Sequence, residues 1–242
     1  MAHEEHIAAA FDRDLEALQA QIMKMGGLVE DAILKAATAL ETRDEELAEE
    51  VRASDQAIDA LEEQINEESA RIIALRQPAA VDLRVILTVM KISANLERIG
   101  DYAKNMAKRT TVLSQMQQIN GASASVRRMA REVQRMLKDV LDAFVQRDAG
   151  AAREVMLRDA DIDQMYNALF REFLTFMMED PRNITACMHL HFIAKNTERM
   201  GDHVTNIAEQ VIYLVTGEIP EDTRPKDDRT STDPKVAPTV TR

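Results

Sequence analysis

Two stretches of this chain carry the same eleven-residue pattern, Asn-x-Glu-Arg-x-Gly-Asp-x-x-x-Asn, at 95–105 and at 196–206. On a helix the pattern sets Glu97, Asp101 and Asn105 four residues apart, and Glu198, Asp202 and Asn206 repeat the spacing. Like charges at i,i+4 repel by about 0.2–0.5 kcal/mol in a bare helix, so keeping the pair twice calls for a compensating cation. Oxygen-only ligands suit hard cations such as magnesium or calcium, and also iron or manganese. A second set of acids has the same step: Asp55 with Asp59, and Asp159 with Asp163. Asp59 lies 19 residues before Pro78 and Glu97 lies 19 after it, while Asp55 and Asp101 are each 23 away. In the second stretch Asp163 is 18 before Pro181 and Glu198 is 17 after it. Residues equidistant from the turn of an antiparallel helical hairpin share one height. Each half of the chain therefore levels two carboxylate ladders against each other, as a multinuclear metal site requires.

A plainer reading stands beside this one. Outward charges on a helix usually form a solvated face, and Lys104 lies three residues from Asp101 as an ordinary ion-pair partner. Lys195 and Arg199 stand within helical reach of Glu198 and Asp202. At about 100° per residue, Glu97 and Asp101 point roughly 110–150° from the apolar seam of their helix, onto its outer surface or flank. Di-iron carboxylate enzymes instead bury their ligands and add Glu-x-x-His pairs. His189, His191 and His203 all fall in the second half, and Tyr102 stands where His203 would be in the first, so a shared histidine ligand is not expected. Gly100 and Gly201 cost a mid-helix about 1 kcal/mol each, for close helix approach or for access of an ion. Met25-Gly26-Gly27-Leu28 reads as a kink in the first helix, Met23, Met25, Met90 and Met106 as core filler, and Cys187 as a buried small residue.

The elements that must hold these residues come in two sets. At an offset of 104, Ile22, Met25 and Val29 meet Val126, Met129 and Val133, and Arg43-Asp44 meets Arg147-Asp148. After the proline the offset falls to 101, where the two acidic patterns superpose. The chain is a tandem repeat. Val85, Val89, Ile92, Leu96, Ile99, Ala103 and Met106 follow steps of four and three, the seam of an antiparallel bundle. Helices are expected over about 5–41, 45–76, 80–115, 121–146, 149–178 and 182–216. The fold class is all-α: two tandem antiparallel three-helix bundles, over 1–118 and 119–217. Residues 218–242, with four prolines among polar residues, are expected to be a disordered tail.

Composition narrows the function classes. The chain has 242 residues, 30 bases and 42 acids, for a formal charge of −12, which disfavours a sequence-general nucleic-acid binder. Aromatic residues are 4% and Trp is absent, so the core must be aliphatic. One cysteine excludes an intrachain disulfide. No uncharged run reaches the ~18 residues of a membrane span, and the N-terminus bears acids where a signal peptide has bases. A cytoplasmic protein is expected. The charge is local: residues 41–68 hold ten more acids than bases, whereas 145–172 hold six acids against four arginines. No nucleophile–base pair, phosphate loop or nucleotide fingerprint is present, so an enzyme is not expected.

Several segments together resemble the PhoU family: Phe11-Asp12 with Leu15, Met25 to Glu30, Arg76-Gln77-Pro78 through Asp82-Leu83-Arg84, Leu96 to Tyr102, Glu198 to Glu209, and Val211-Ile212-Tyr213. They span about residues 6–217 in family order. The resemblance implies two three-helix bundles, a cytoplasmic homodimer and a regulatory role: negative regulation of phosphate uptake and of phosphate-starvation signalling when phosphate is plentiful. Its implied partners are the ATPase subunit of the phosphate ABC transporter and the phosphate sensor histidine kinase. It also implies iron, singly or as a multinuclear cluster, or another divalent ion such as zinc, magnesium or manganese. The ligands so assigned are Glu97, Asp101, Glu198 and Asp202, with Asp55, Asp59, Asp159 and Asp163 contributing from the second helices. Thr197 replaces Leu96 at a seam position and is expected to loosen the second bundle slightly. The alternatives are a carboxylate-bridged di-iron or di-manganese metalloenzyme, and a purely structural helical interaction module.

Overall fold

The duplicated Arg-Asp pair builds the first turn of each half. Arg43 adopts the left-handed conformation (φ 60°), and Asp44 then caps the next helix by accepting from the Leu47 N–H. Arg147 (φ 51°) and Asp148, which accepts from the Gly150 and Ala151 N–H groups, do the same in the second half. The computed structural model describes residues 2–119 and 121–220, with side chains from residue 11 onward. Its helices are α1 (Ala2–Thr42), α2 (Glu45–Arg76), α3 (Val81–Leu113), α4 (Ala122–Gln146), α5 (Ala149–Leu157), α6 (Asp159–Glu179) and α7 (Ile184–Thr216), with a short 3₁₀ turn at Pro181–Asn183. No helix among the described residues is long and apolar enough to cross a membrane.

Helices α1, α2 and α3 pack on one another, as do α4, α5–α6 and α7. The two bundles also meet: α1 lies against α4 and α3 against α7, so the apolar stripes merge into one continuous core. Leu18, Ile22, Met25, Ile58, Ile65, Leu96 and Ile99 are fully buried in one half, and Val126, Met129, Val133, Ile162, Ile193 and Val204 in the other. Met106 is buried as expected, while Met23 and Met90 pack at the margin of the core.

One expectation is corrected. The helix read over 149–178 is broken at Arg158, where the Arg158 N–H turns back to the Val155 carbonyl. Its guanidinium is bound across the bundle to Glu132 (2.6 Å) and Asp139 (2.5 Å) on α4, which pins the break without any glycine or proline to announce it. At Gly26-Gly27 helix α1 is continuous, and Gly26 is where the Leu141 side chain of α4 sits against it, leaving no room for a Cβ. Thr197 is fully buried, and its hydroxyl donates to the Ile193 carbonyl at 3.0 Å. Of the tail, residues 218–220 follow α7 without helix, and the reading over 221–242 lies outside the described residues.

The two Arg-Asp turns have diverged. Arg43 donates to the carbonyls of Leu113 (2.8 Å), Ser114 (2.6 Å) and Met116, closing the end of α3 and drawing in the connection to α4, where Ile119 is buried. Arg147 makes no such bond among the described residues and lines an open cavity of about 260 Å³ with Asp12, Val85, Val89, Phe144 and Leu214. Both arginines share the same backbone strain, so alanine at each isolates the side chain. In urea denaturation, Arg43→Ala is expected to lose about 1–3 kcal/mol, because the guanidinium that gathers the carbonyls at the end of α3 is removed. Arg147→Ala is expected to stay within about 0.5 kcal/mol of the parent. Equal losses would contradict the assignment.

Candidate metal-binding seams

The glycines decide how close the acid-bearing helices come. At Gly100 a Cβ would meet Ile58 Cδ1 at 3.1 Å and Asp55 Oδ1 at 3.7 Å. At Gly201 it would meet Ile162 Cγ2 and Asp159 Oδ1, each at 3.4 Å. The two halves thus use equivalent residues, offset by 104 on one helix and 101 on the other, to seat a carboxylate against a glycine of the facing helix. Close approach is the role the structure assigns to both glycines.

Glu97 and Asp101 do lie on the flank of α3, but several of the other acids are buried more deeply. Asp55 is 3% exposed, Asp159 and Asp163 are each 5%, and Glu198 is 6%. Glu97, Asp101 and Asp202 are half-buried, and Asp59 is exposed. The angular reckoning measured Glu97 and Asp101 from the core seam of their own helix, but in a three-helix bundle the flank of α3 is covered by α2, and that of α7 by α6. The ladders are therefore walls of a seam inside each hairpin.

In the first half the seam already contains a cation. Lys104 Nζ donates to Asp55 Oδ2 and stands 3.4 Å from Asp101 Oδ1. The hydrogen bond to Asp55 raises the lysine above its ordinary pKa. Sequence reading had paired Lys104 only with Asp101 on its own helix; the bridge across to Asp55 follows from the same levelling, one turn further from Pro78. Asp55 Oδ1 is buried and has no hydrogen-bond partner among the described residues. Arg98 reaches Glu97 at 3.5 Å and Asp101 at 3.8 Å, contacts too long to neutralise either fully. Burial, then Asp101, holds the Glu97 carboxyl above the ordinary range; burial, then Asp55, does the same for Asp59. In the second half a different lysine serves: Lys195 Nζ bonds Glu198 Oε1 at 2.8 Å and lies over the Tyr166 ring.

The remaining candidates go elsewhere. His203 Nδ1 meets Asn95 Oδ1 at 2.8 Å, and Asn206 Nδ2 donates to the same oxygen at 3.4 Å, so these residues tie α3 to α7. Asn105 is exposed. His191 packs among Tyr166, Phe170 and Phe192, and His189 meets Arg109. Cys187 is buried, and burial pushes its thiol up to about 11. Among the described residues, no three His, Cys, Asp or Glu side chains converge as a ready-made ion cage. Within the first seam, the buried Asp55 oxygen without a hydrogen-bond partner, on the carboxylate that shares Lys104 with Asp101, is the feature left uncompensated among the described residues.

Comparison with known proteins agrees with this architecture. The PhoU domain model matches residues 22–110 and 126–211, one match per repeat. The phosphate-specific transport system accessory protein PhoU homolog of Caulobacter vibrioides is 46% identical over 222 residues, 92% of this chain and 96% of that protein. Its counterpart in Zymomonas mobilis is 48% identical, covering 92% and 94%. Among solved structures, PhoU from Pseudomonas aeruginosa superposes with a TM-score of 0.83 at 42% identity, covering 86% of this chain and all of that one. The phosphate transport system regulatory protein PhoU from Streptococcus pneumoniae gives 0.80 at 32% identity, covering 87% and 99%.

The raised carboxyls have a consequence for stability. A carboxyl whose folded-state pKa is raised destabilises the fold once it ionises, and that penalty disappears as pH falls through the raised value toward the ordinary carboxylate range. In the metal-stripped chain, the pair Asp59→Asn with Glu97→Gln is therefore expected to raise Tm at neutral pH by about 1–2 °C. The advantage should shrink as the pH is lowered into the carboxylate range. A variant that melts below the parent at neutral pH would contradict the repulsion.

Proposed function

The chain belongs to the PhoU domain family, and from that premise we propose that it is a metal-binding regulatory adaptor that restrains phosphate uptake and phosphate-starvation signalling. Relatives named as accessory proteins of the phosphate-specific transport system, matched over nearly their whole length, support a regulatory rather than catalytic role in phosphate transport. The partners this reading assigns are the transporter's ATPase subunit and the phosphate sensor histidine kinase, met in the cytoplasm by a homodimer.

The observation that carries the metal part is the buried Asp55 oxygen without a hydrogen-bond partner, at a seam built twice from equivalent residues. A buried carboxylate is costly unless its charge is met. Asp55, Asp59, Glu97 and Asp101 would hold a cation in the first repeat, and Asp159, Asp163, Glu198 and Asp202 in the second. When bound, iron or a divalent ion supplies positive charge that lets α2 and α3 close without repulsion. The protein's part is to set the ladders level, to bring them together at Gly100 and Gly201, and to hold Lys104 and Lys195 as exchangeable counter-charges.

One preparation tests both parts. The purified full chain is offered to the purified ATPase subunit and to the cytoplasmic part of the sensor kinase, and the same sample is analysed for metals. The expected result is binding to at least one of the two, with metal content that falls in Glu97→Ala/Asp101→Ala. Binding to neither protein would overturn the adaptor reading, and metal content unchanged by the double substitution would overturn the first-repeat site.

A further inference from the structure

Helices α3 and α7 lie antiparallel, with Asn95 opposite His203 and Arg109 opposite His189. One face of this pair is covered by no helix of the described chain. Along α3 it presents Leu87, Lys91, Arg98, Arg109 and Val112, in steps of four, seven, eleven and three that keep to one stripe. Along α7 it presents Met188, Phe192 and Arg199, the equivalents of Leu87, Lys91 and Arg98. The apolar members are well exposed: Leu87 41%, Val112 40%, Met188 40% and Phe192 44%. Lys91, Arg98 and Arg199 are exposed as well.

Two features set this face apart from an ordinary solvated surface. The stripe residues named include no acid, although the chain carries a net charge of −12; Glu97 and Asp101, which Arg98 reaches at 3.5 and 3.8 Å, lie on the side of α3 toward α2, and Glu198 on the side of α7 toward α6. Aromatic rings also hold some of the cations in place. The Arg109 guanidinium lies 4.4 Å from the centre of the Phe192 ring, and Arg84 and Lys91 stand 5.5 and 5.9 Å from that of Tyr213. Both contacts run from α3 to α7, so the positive charge is fixed along the line where the helices meet.

The geometry points to this α3–α7 face as the docking surface for an acidic amphipathic helix of a partner protein. This rests on the adaptor reading and names the surface that serves it. Apolar residues of the incoming helix would cover Leu87 and Val112 and, across the groove, Met188 and Phe192, while its carboxylates meet Arg98 and Arg199 at the middle. The stripe from Leu87 to Val112 is about 37 Å long at 1.5 Å per residue, long enough for a helix of six or seven turns. An anionic membrane fits less well, because the ten-acid excess around α2 lies on the same bundle and would be repelled by it.

The test is Arg98→Glu/Arg199→Glu in the full chain, with Arg135→Glu, an exposed reversal on α4, as the control. Affinity is measured for the purified ATPase subunit and the cytoplasmic part of the sensor kinase, and in parallel for phosphatidylglycerol vesicles. The expected result is at least about tenfold weaker binding to one of the two proteins for the double reversal, with no change for the control. If the double reversal lowers Tm, Arg98→Gln/Arg199→Gln makes the same comparison. Protein binding equal to the parent's would overturn the docking surface while leaving the adaptor reading intact. Loss of vesicle binding alone would overturn it in favour of a membrane, and failure of the parent to bind either protein would overturn both.

Discussion

Carboxylates placed between helices must be met by positive charge, and this requirement organises the molecule. An unpaired buried charge costs several kcal/mol, so a hairpin that buries Asp55, or Asp159, Asp163 and Glu198, cannot close on apolar contact alone. The glycines bring the acid-bearing helices within contact distance, and the lysines supply charge from whichever helical position reaches. That lysine is Lys104 in one repeat and Lys195 in the other, at positions that do not correspond. The duplication has kept the requirement while changing the residue that meets it.

The same divergence runs through the rest of the chain. Arg43 ties down the end of α3 and the connection that follows, whereas Arg147, its equivalent, faces a cavity. Helix α2 is unbroken, whereas its counterpart is split at Arg158 by salt bridges to α4. The first bundle carries most of the negative charge. The two halves share a scaffold and one continuous core, but they present different surfaces.

How much of this was legible beforehand varied with the physics behind each feature. The helices and the tandem repeat were readable because hydrophobic period and turn chemistry are local: Pro78, Pro181 and the Arg-Asp pairs punctuate the chain where the helices end. The height of the acid ladders was readable from distance to the proline alone. Their burial was not, because angular position on one helix says nothing of which neighbour covers its flank. The break at Arg158 left no local mark, since it is held by contacts to Glu132 and Asp139 some twenty residues away. Gly26 shows the same limit: that it leaves room for Leu141 of α4 is a tertiary fact its own sequence neighbours do not carry. The bridge from Lys104 to Asp55 and the Asn95–His203 contact are tertiary pairings that only the packed helices disclose.

The central claim is that each repeat closes around a cation held by its paired acid ladders. Calorimetric titration of the metal-stripped full chain with manganese tests this most directly. The account predicts saturable binding at one site per repeat, with Asp55→Asn/Asp101→Asn removing the first-repeat site and leaving the second. Absence of saturable heat, or a titration curve unchanged by those substitutions, would contradict it.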